Sequence, residues 1–209
     1  MRNKLQRIYR QLFRTYGAQN WWPGEGIEIA LGAILTQQTS WINVEKALAN
    51  LREKDCLSID CLKEISIQEL ERLIYPSGYY KVKARRIKNL INLLVSNSHP
   101  SREDLLRVNG LGPETVDSIL NYWFEEPIFV IDTYTFRIFE RLGLYKESKR
   151  EYYKMQKLFL DNLPAEVSLF NEYHALIVRH AKEYCLKKHP KCNICPLLEI
   201  CAYPKNEKY

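Results

Sequence analysis

The chain has 209 residues, and its 31 lysines and arginines against 25 aspartates and glutamates leave a formal net charge of +6. Hydrophobic residues make up 46% and charged residues 27%, which are ordinary globular values that exclude a disordered or low-complexity chain. The length allows one domain or two small ones, with a core that needs no disulfides. No apolar run approaches the roughly 20 residues that span a bilayer, and no secretory signal follows Met1. The sequence therefore predicts a cytoplasmic protein with no membrane partner.

Helical periodicity dominates the chain. Apolar residues at helical spacing predict helices over residues 1–17, 27–35, 41–52, 68–75, 83–95, 113–123, 133–142, 150–161 and 166–184. Turn residues at 20–26, 76–78 and 108–112 interrupt this pattern. Few strands and no repeat of fixed period are visible, so the predicted class is all-α.

Four of the six cysteines fall in one 17-residue window, as Cys185-x6-Cys192-x2-Cys195-x5-Cys201. Crowded cysteines in a chain without a secretory signal indicate a metal site before disulfides. The spacing alone is equally compatible with an iron–sulfur cluster and with zinc. Cys56 and Cys61 lie far away in sequence and are expected to be ordinary small side chains.

Two further motifs carry candidate chemistry. Gly110-Leu111-Gly112 forms a tight turn before a helix, whose N-terminus would present N–H groups to a phosphate. Asp132 follows an apolar run and opens a helix, so an N-cap is its simplest interpretation. A capped carboxylate is also rigid and ionised, which suits it to stabilise a developing cation.

Basic residues gather near the glycine turns and the cysteines, which suits contact with a duplex backbone. The candidate DNA-binding residues are Gly78, Gly110, Gly112, Lys81, Lys83, Lys187 and Lys188. A charge run is more often a solvated helix face, and the net charge alone demonstrates no nucleic-acid partner.

With these motifs in this order, the sequence resembles the endonuclease III-like helix-hairpin-helix superfamily of DNA glycosylases over nearly its whole length. The resemblance implies a [4Fe-4S] cluster held by the four clustered cysteines, and Asp132 as the catalytic residue. Leu35-Thr36-Gln37-Gln38-Thr39 resembles the segment whose glutamine fills the gap left by a flipped base, and Gln37 is taken as the matching position.

The sequence departs from the bifunctional members of that superfamily at one position. Those enzymes carry a Gly-x-Gly-x-Lys pattern whose lysine amine attacks the sugar and permits strand cleavage. Here the corresponding residue is Glu114, which cannot form the imine. The resemblance therefore implies a monofunctional glycosylase, with weak or absent lyase activity at abasic sites.

Aromatic residues around two turns resemble the branch of this superfamily that removes 3-methyladenine. The resemblance implies a base-binding pocket formed by Trp21, Trp22, Pro23 and Trp41, with Lys182 of His180-Ala181-Lys182 nearby. Rings in such a pocket would attract a cationic alkylated purine through cation–π contacts. Core packing is the other explanation for several tryptophans.

The expected architecture is a helical barrel domain over residues 24–126 and a second helical domain built from 1–23 and 127–209, with the active site in a cleft between them. The expected partner is double-stranded DNA with a damaged base, and the enzyme is expected to be a nucleoid-associated monomer. Within the enzyme class, oxidised, deaminated or mismatched bases remain alternative substrates, with lyase activity. Outside it, a non-catalytic DNA-binding module and a zinc-stabilised adaptor remain open.

Overall fold

A computed structural model describes residues 1–203. Its α-helices are α1 (Arg2–Tyr16), α2 (Ile27–Leu35), α3 (Trp41–Glu53), α4 (Ile59–Glu64), α5 (Ile67–Leu73), α6 (Tyr80–Ser96), α7 (Arg102–Arg107), α8 (Pro113–Tyr122), α9 (Thr133–Arg141), α10 (Tyr152–Leu160) and α11 (Val167–Glu183). Short 3₁₀ helices lie at Tyr75–Ser77, Cys192–Ile194 and Leu198–Ile200. Residues 1–203 contain no strand, which confirms the predicted all-α class.

The chain divides into two compact units. One unit combines residues 1–21 with the chain from Pro127 onward, and the other is the continuous segment Trp22–Glu126. The continuous unit contains α2 to α8, whereas the discontinuous unit contains α1 and α9 to α11.

Helix α2 lies at the centre of the continuous unit. All of its residues except Glu28 are buried, and it packs against α3, α6 and α8. A helix that is apolar on every side can be stable in water only when neighbours cover it all round. The end of α2 at Leu35 therefore places the following turn, residues 36–40, on a rigid support.

Polar caps fix the ends of the shorter helices in this unit. Ser58, Ser66 and Ser101 each accept a hydrogen bond from the backbone N–H three residues on, which satisfies a donor that the helix leaves unpaired. Ser101 and Asp104 form a complete capping box at the start of α7. Pro113 occupies the first position of α8, where its missing N–H has no cost.

An aromatic core organises the discontinuous unit. Phe129 stacks on Phe159 with ring centroids 3.8 Å apart, and both contact Tyr173 edge-on. Leu5 and Leu12 from the apolar face of α1 join the same cluster. This packing attaches the N-terminal helix to α11 and leaves the basic side of α1 facing outward.

Cys56 and Cys61 form a disulfide, contrary to the expectation that they are ordinary small residues. The chain doubles back where Ser58 caps α4, and this turn brings the two Cα atoms to 5.2 Å. Such a distance lies in the usual range for a disulfide. The close approach arises from the local turn, which the spacing of two isolated cysteines does not reveal.

Among residues 1–203, no helix combines the length and the apolar character needed to cross a bilayer.

Candidate active site

Asp132 caps the first turn of α9 from a buried position. Its Oδ1 accepts the Thr135 backbone N–H at 2.6 Å and the Thr135 hydroxyl at 2.8 Å. The side chain is nearly enclosed, with the residue 8% exposed. The cap predicted for Asp132 is therefore present, and it fixes the orientation of the carboxylate.

The other carboxylate oxygen of Asp132 faces α11. Its Oδ2 lies 3.6 Å from His174 Nε2, and His174 is also buried. Burial raises the pKa of Asp132, but the interaction with His174 and the hydrogen bonds from Thr135 outweigh burial, so the pKa lies below its usual value. The carboxylate is consequently ionised at neutral pH.

The extended segment before Asp132 is held by side chains of α10. Gln156 donates Nε2–H to the carbonyl of Phe129 at 2.9 Å, and the Tyr152 hydroxyl accepts the N–H of Ile131 at 3.4 Å. These bonds satisfy backbone groups that a neighbouring strand would otherwise pair. Sequence reasoning missed both residues, because a polar position on an amphipathic helix does not show where its side chain points.

The hairpin between α7 and α8 has a backbone that glycine makes possible. Gly110 has φ +91°, a conformation that other residues rarely adopt. A Cβ on Gly110 would also collide with the side chain of Arg86, so this glycine is required both by its backbone and by its neighbour. Glu114 lies exposed in the first turn of α8. It occupies the position that matches the lysine in the Gly-x-Gly-x-Lys pattern of bifunctional glycosylases.

Lys83 does not reach the surface, which corrects its prediction as a DNA contact. It is 1% exposed, and its Nζ donates to the carbonyls of Leu35 at 2.8 Å and Ser77 at 2.7 Å. Burial and then the charge of Arg86 lower the pKa of Lys83 to about 8. The ammonium group joins the end of α2 to the turn before Gly78, whereas Lys81 is exposed.

The two neighbouring glutamines after α2 have different environments. Gln37 is half-buried, its Nε2 donates to Thr115 Oγ1 at 2.9 Å, and its Oε1 accepts a hydrogen bond from Arg86 Nη1. Gln38 is exposed and has the left-handed φ of +56°. Gln37 is the residue that the sequence predicts to enter DNA. In this structure both its amide nitrogen and its amide oxygen are hydrogen-bonded within the protein.

Aromatic rings predicted to bind a base are packed together in the continuous unit. Trp22 packs edge-to-face against Trp41, with ring centroids 5.1 Å apart, and contacts Tyr122 in a tilted arrangement, with centroids 5.3 Å apart. A Cβ on Gly32 would lie 3.0 Å from Trp22 Cζ2, so the small residue in α2 makes room for this ring. The edge-to-face arrangement leaves no parallel slot between Trp22 and Trp41. Trp21 is half-buried and Pro23 is exposed.

The four clustered cysteines line a single cavity in the discontinuous unit. Arg141 Nη1 donates to Cys185 Sγ at 3.2 Å, and the N–H of Leu197 donates to Cys195 Sγ at 3.4 Å. Burial raises the pKa of Cys195 to about 11 and also raises that of Cys201. Among residues 1–203, the thiols and other candidate ligand side chains are not drawn together closely enough to form a ready-made metal site.

Exposed lysines precede and follow Cys185 in the sequence. Lys187 and Lys188 lie in the loop after α11, and Lys182 lies in the last turn of that helix with its side chain exposed. Arg141 donates to the carbonyls of Leu186 at 2.7 Å and Lys187 at 3.2 Å, so the start of the loop is anchored to α9.

The glycine hairpin, the capped aspartate and the all-helical fold together define a class of DNA repair protein. The family described as the HhH-GPD superfamily of base excision DNA repair proteins matches residues 31–164, and the chain belongs to it. The superfamily predicted from the sequence motifs is thereby confirmed.

Individual relatives extend the similarity to nearly the whole chain. A Methanocaldococcus jannaschii protein that carries the provisional name DNA repair glycosylase MJ1434 is 42% identical, over 94% of this chain and 95% of its own. Endonuclease III of Rickettsia felis is 30% identical, over 84% of this chain and 82% of its own. The solved structure of H. pylori 3-methyladenine DNA glycosylase (MagIII) bound to 1,N6-ethenoadenine has a TM-score of 0.74 at 26% identity, covering 87% of this chain and 95% of that one.

Proposed function

We propose that this protein is a monofunctional DNA glycosylase that hydrolyses the bond between deoxyribose and an alkylated purine in duplex DNA. Two observations carry the proposal: Asp132 is rigid and ionised, and the lysine position of the hairpin is occupied by Glu114. An exposed carboxylate at that position cannot form the imine through which lyases cleave the strand. Damaged double-stranded DNA is the partner, and one chain acts as a monomer.

The reaction requires the damaged nucleotide to leave the base stack, because the sugar cannot be reached inside the duplex. The glycosidic bond then breaks, and its electron pair neutralises the cationic base as that base departs. Asp132 stabilises the oxocarbenium-like sugar by its negative charge. Water adds to C1′, and its proton passes to Asp132 and then to solvent. Because the alkylated base already carries a positive charge, the reaction needs little acid catalysis.

Base recognition falls to the aromatic residues after α1 and at the start of α3. A cationic purine stacked on an indole gains up to about 2 kcal/mol when the pair is desolvated. Because Trp22 and Trp41 meet edge-to-face, a base enters between them only after one ring turns. Trp21, Pro23 and Lys182 are proposed as further substrate-binding residues. The similarity to a 3-methyladenine glycosylase supports this substrate class.

The DNA backbone is held by the two glycine turns and the exposed lysines. Gly78 and the Gly110–Gly112 hairpin let the phosphates approach backbone N–H groups. Lys81, Lys187 and Lys188 add a salt-dependent attraction. We assign the residue that fills the flipped-base gap to Gln38 rather than Gln37, because Gln38 is exposed and the amide of Gln37 is bound within the protein.

The four clustered cysteines are proposed to hold a [4Fe-4S] cluster. All four sulfur atoms line one cavity, and two of them, those of Cys185 and Cys195, accept N–H donors from Arg141 and Leu197, as metal-bound thiolates do. The cluster would supply a structural crosslink that shapes the basic loop after Cys185. Cys185, Cys192, Cys195 and Cys201 would be its ligands.

A glycosylase with lyase activity is the second candidate. The 30% identity to an endonuclease III favours it. Another amine, such as Lys182, would then have to replace the missing hairpin lysine as the nucleophile.

The proposal is tested with a panel of duplexes, each containing one alkylated, oxidised, deaminated or mismatched base. Incubation with the protein should produce abasic sites from the alkylated purines. Excision confined to oxidised pyrimidines would support the endonuclease III-like alternative, and duplex binding without any excision would indicate a non-catalytic module.

A further inference from the structure

The turn that carries Gln38 is held on both sides of that residue. Lys83 Nζ binds the carbonyl of Leu35 at 2.8 Å, and Asn43 Nδ2 donates to Thr39 Oγ1 at 3.1 Å. Between these two anchors, Gln37 binds Thr115 and Arg86. Within residues 1–203 the Gln38 side chain makes no hydrogen bond. The backbone of the turn is therefore fixed, while the exposed amide of Gln38 can contact a ligand.

Arg86 connects this turn to the hairpin. Its side chain passes directly over Gly110, where a Cβ would collide with it, and its guanidinium donates to Gln37 Oε1. Thr115, which accepts the other end of the same amide, is buried in the first turn of the hairpin helix α8. Both bonds of the Gln37 amide therefore fix the turn relative to the hairpin.

We propose that Gln37, Arg86 and Thr115 form a positioning network that fixes the turn after α2 against the hairpin and presents Gln38 to the duplex. The inference rests on the proposed function of DNA binding with base flipping. It assigns Gln37 a supporting role and makes Arg86 a positioning residue.

The network has a physical consequence for base flipping. Gln38 occupies a left-handed backbone conformation, which a residue other than glycine adopts only when its surroundings enforce it. Without the Gln37 amide bonds, the turn would sample other conformations and the inserting side chain would have to be ordered during each encounter. A preorganised turn avoids that entropy cost.

The experiment measures insertion without requiring excision. A duplex carries a tetrahydrofuran abasic analogue with 2-aminopurine beside it, and stopped-flow fluorescence reports the rate of unstacking at saturating protein. We expect Arg86→Met and Thr115→Val each to slow this rate by about two- to tenfold, the effect of one lost hydrogen bond. Thr115→Ser keeps the hydroxyl and should restore the wild-type rate.

Two controls separate positioning from charge and from unfolding. Arg85→Met removes the same charge from the adjacent exposed position of α6, so it should weaken binding to the duplex without slowing insertion at saturation. Circular dichroism melting of every variant identifies loss of fold. In a Gln37→Ala background, Arg86→Met should add no further loss, because both substitutions break the same contact.

Additive losses from Gln37→Ala and Arg86→Met would overturn the network, as would faster insertion in either variant. Normal insertion by Gln38→Ala together with none by Gln37→Ala would overturn the assignment of roles. These outcomes concern insertion only, whereas the glycosylase proposal is tested separately by the products that wild-type protein releases from damaged duplexes.

Discussion

At Asp132, one carboxylate oxygen caps α9 while the other faces His174. The first contact is a local consequence of an aspartate before a helix, so the sequence is sufficient to predict it. The contact with His174 joins positions 42 residues apart in sequence (174 − 132), and no local pattern reveals it. The cap orients the group, and its lowered pKa keeps the charge that the reaction needs.

Asp132→Asn separates these two roles. Asparagine caps helices as well as aspartate, so the fold should be retained, although the melting temperature should fall because the stabilising contact of the ionised carboxylate with His174 is lost. The charge that stabilises the sugar cation is lost, and single-turnover excision should fall by about 10²–10⁴-fold while duplex affinity is retained. Gel-shift and excision assays on one preparation measure both quantities; excision at the wild-type rate would contradict a catalytic Asp132.

The lowered pKa of Lys83 predicts how the free energy of unfolding changes with pH on the alkaline side. Its folded pKa of about 8 lies below the ordinary value of 10.5, so between these pH values the unfolded chain binds more protons. The Lys83 contribution to the free energy of unfolding should therefore rise with pH across this window, by up to about 3 kcal/mol, and be constant below it.

Urea unfolding at pH 7.5 and 9.5 tests this, with Lys83→Met as the reference. The stability of wild type relative to Lys83→Met should increase at the higher pH. Parallel changes in the two proteins would show that Lys83 titrates normally.

Helix α9 shows how one element joins two candidate sites. Asp132 lies at its start, and Arg141 at its end binds Cys185 Sγ and the following loop. A helix of nine residues is about 14 Å long, so the cysteine loop and the carboxylate share one rigid support.

Nine of the eleven α-helices within residues 1–203 lie where apolar spacing predicts them, because that spacing is a local signal. The short helices α4 and α7, capped by Ser58 and Ser101, are not predicted, since six residues are too few to show a helical period. Burial of Lys83 and the engagement of Gln37 arise from tertiary packing, which overrides the surface positions expected for such residues. The Cys56–Cys61 disulfide likewise depends on a turn geometry that composition does not encode.

The disulfide should contribute modestly to stability, since it closes a short loop. The chain-entropy model gives about 2 kcal/mol for a separation of five residues. Cys56→Ala with Cys61→Ala should lower the free energy of unfolding by about that amount in chemical denaturation, while excision remains. An unchanged midpoint under non-reducing conditions would contradict a disulfide in the native protein.

For the whole molecule, the net charge of +6 conceals where the basic residues lie. Lys81 belongs to the continuous unit, whereas Lys187 and Lys188 belong to the other, in the loop that starts at Cys185. A cluster bound by the cysteines would therefore fix the conformation of the loop that carries Lys187 and Lys188.

Purified protein should contain about four irons per chain and absorb near roughly 400 nm if the cluster is present. Cys201→Ala should reduce the iron content and the absorbance, with protease cleavage appearing in the loop after Cys185. A colourless protein containing stoichiometric zinc would contradict the iron–sulfur assignment.

The most direct test of a monofunctional glycosylase follows one alkylated purine in a labelled duplex under single-turnover conditions. Products are separated with and without hot alkali, and a parallel reaction contains borohydride. We expect abasic sites to accumulate, strand breaks to appear only after alkali, and no protein–DNA adduct to be trapped. Strand breaks without alkali, together with a trapped adduct, would contradict the claim and show that an amine of this protein attacks the sugar.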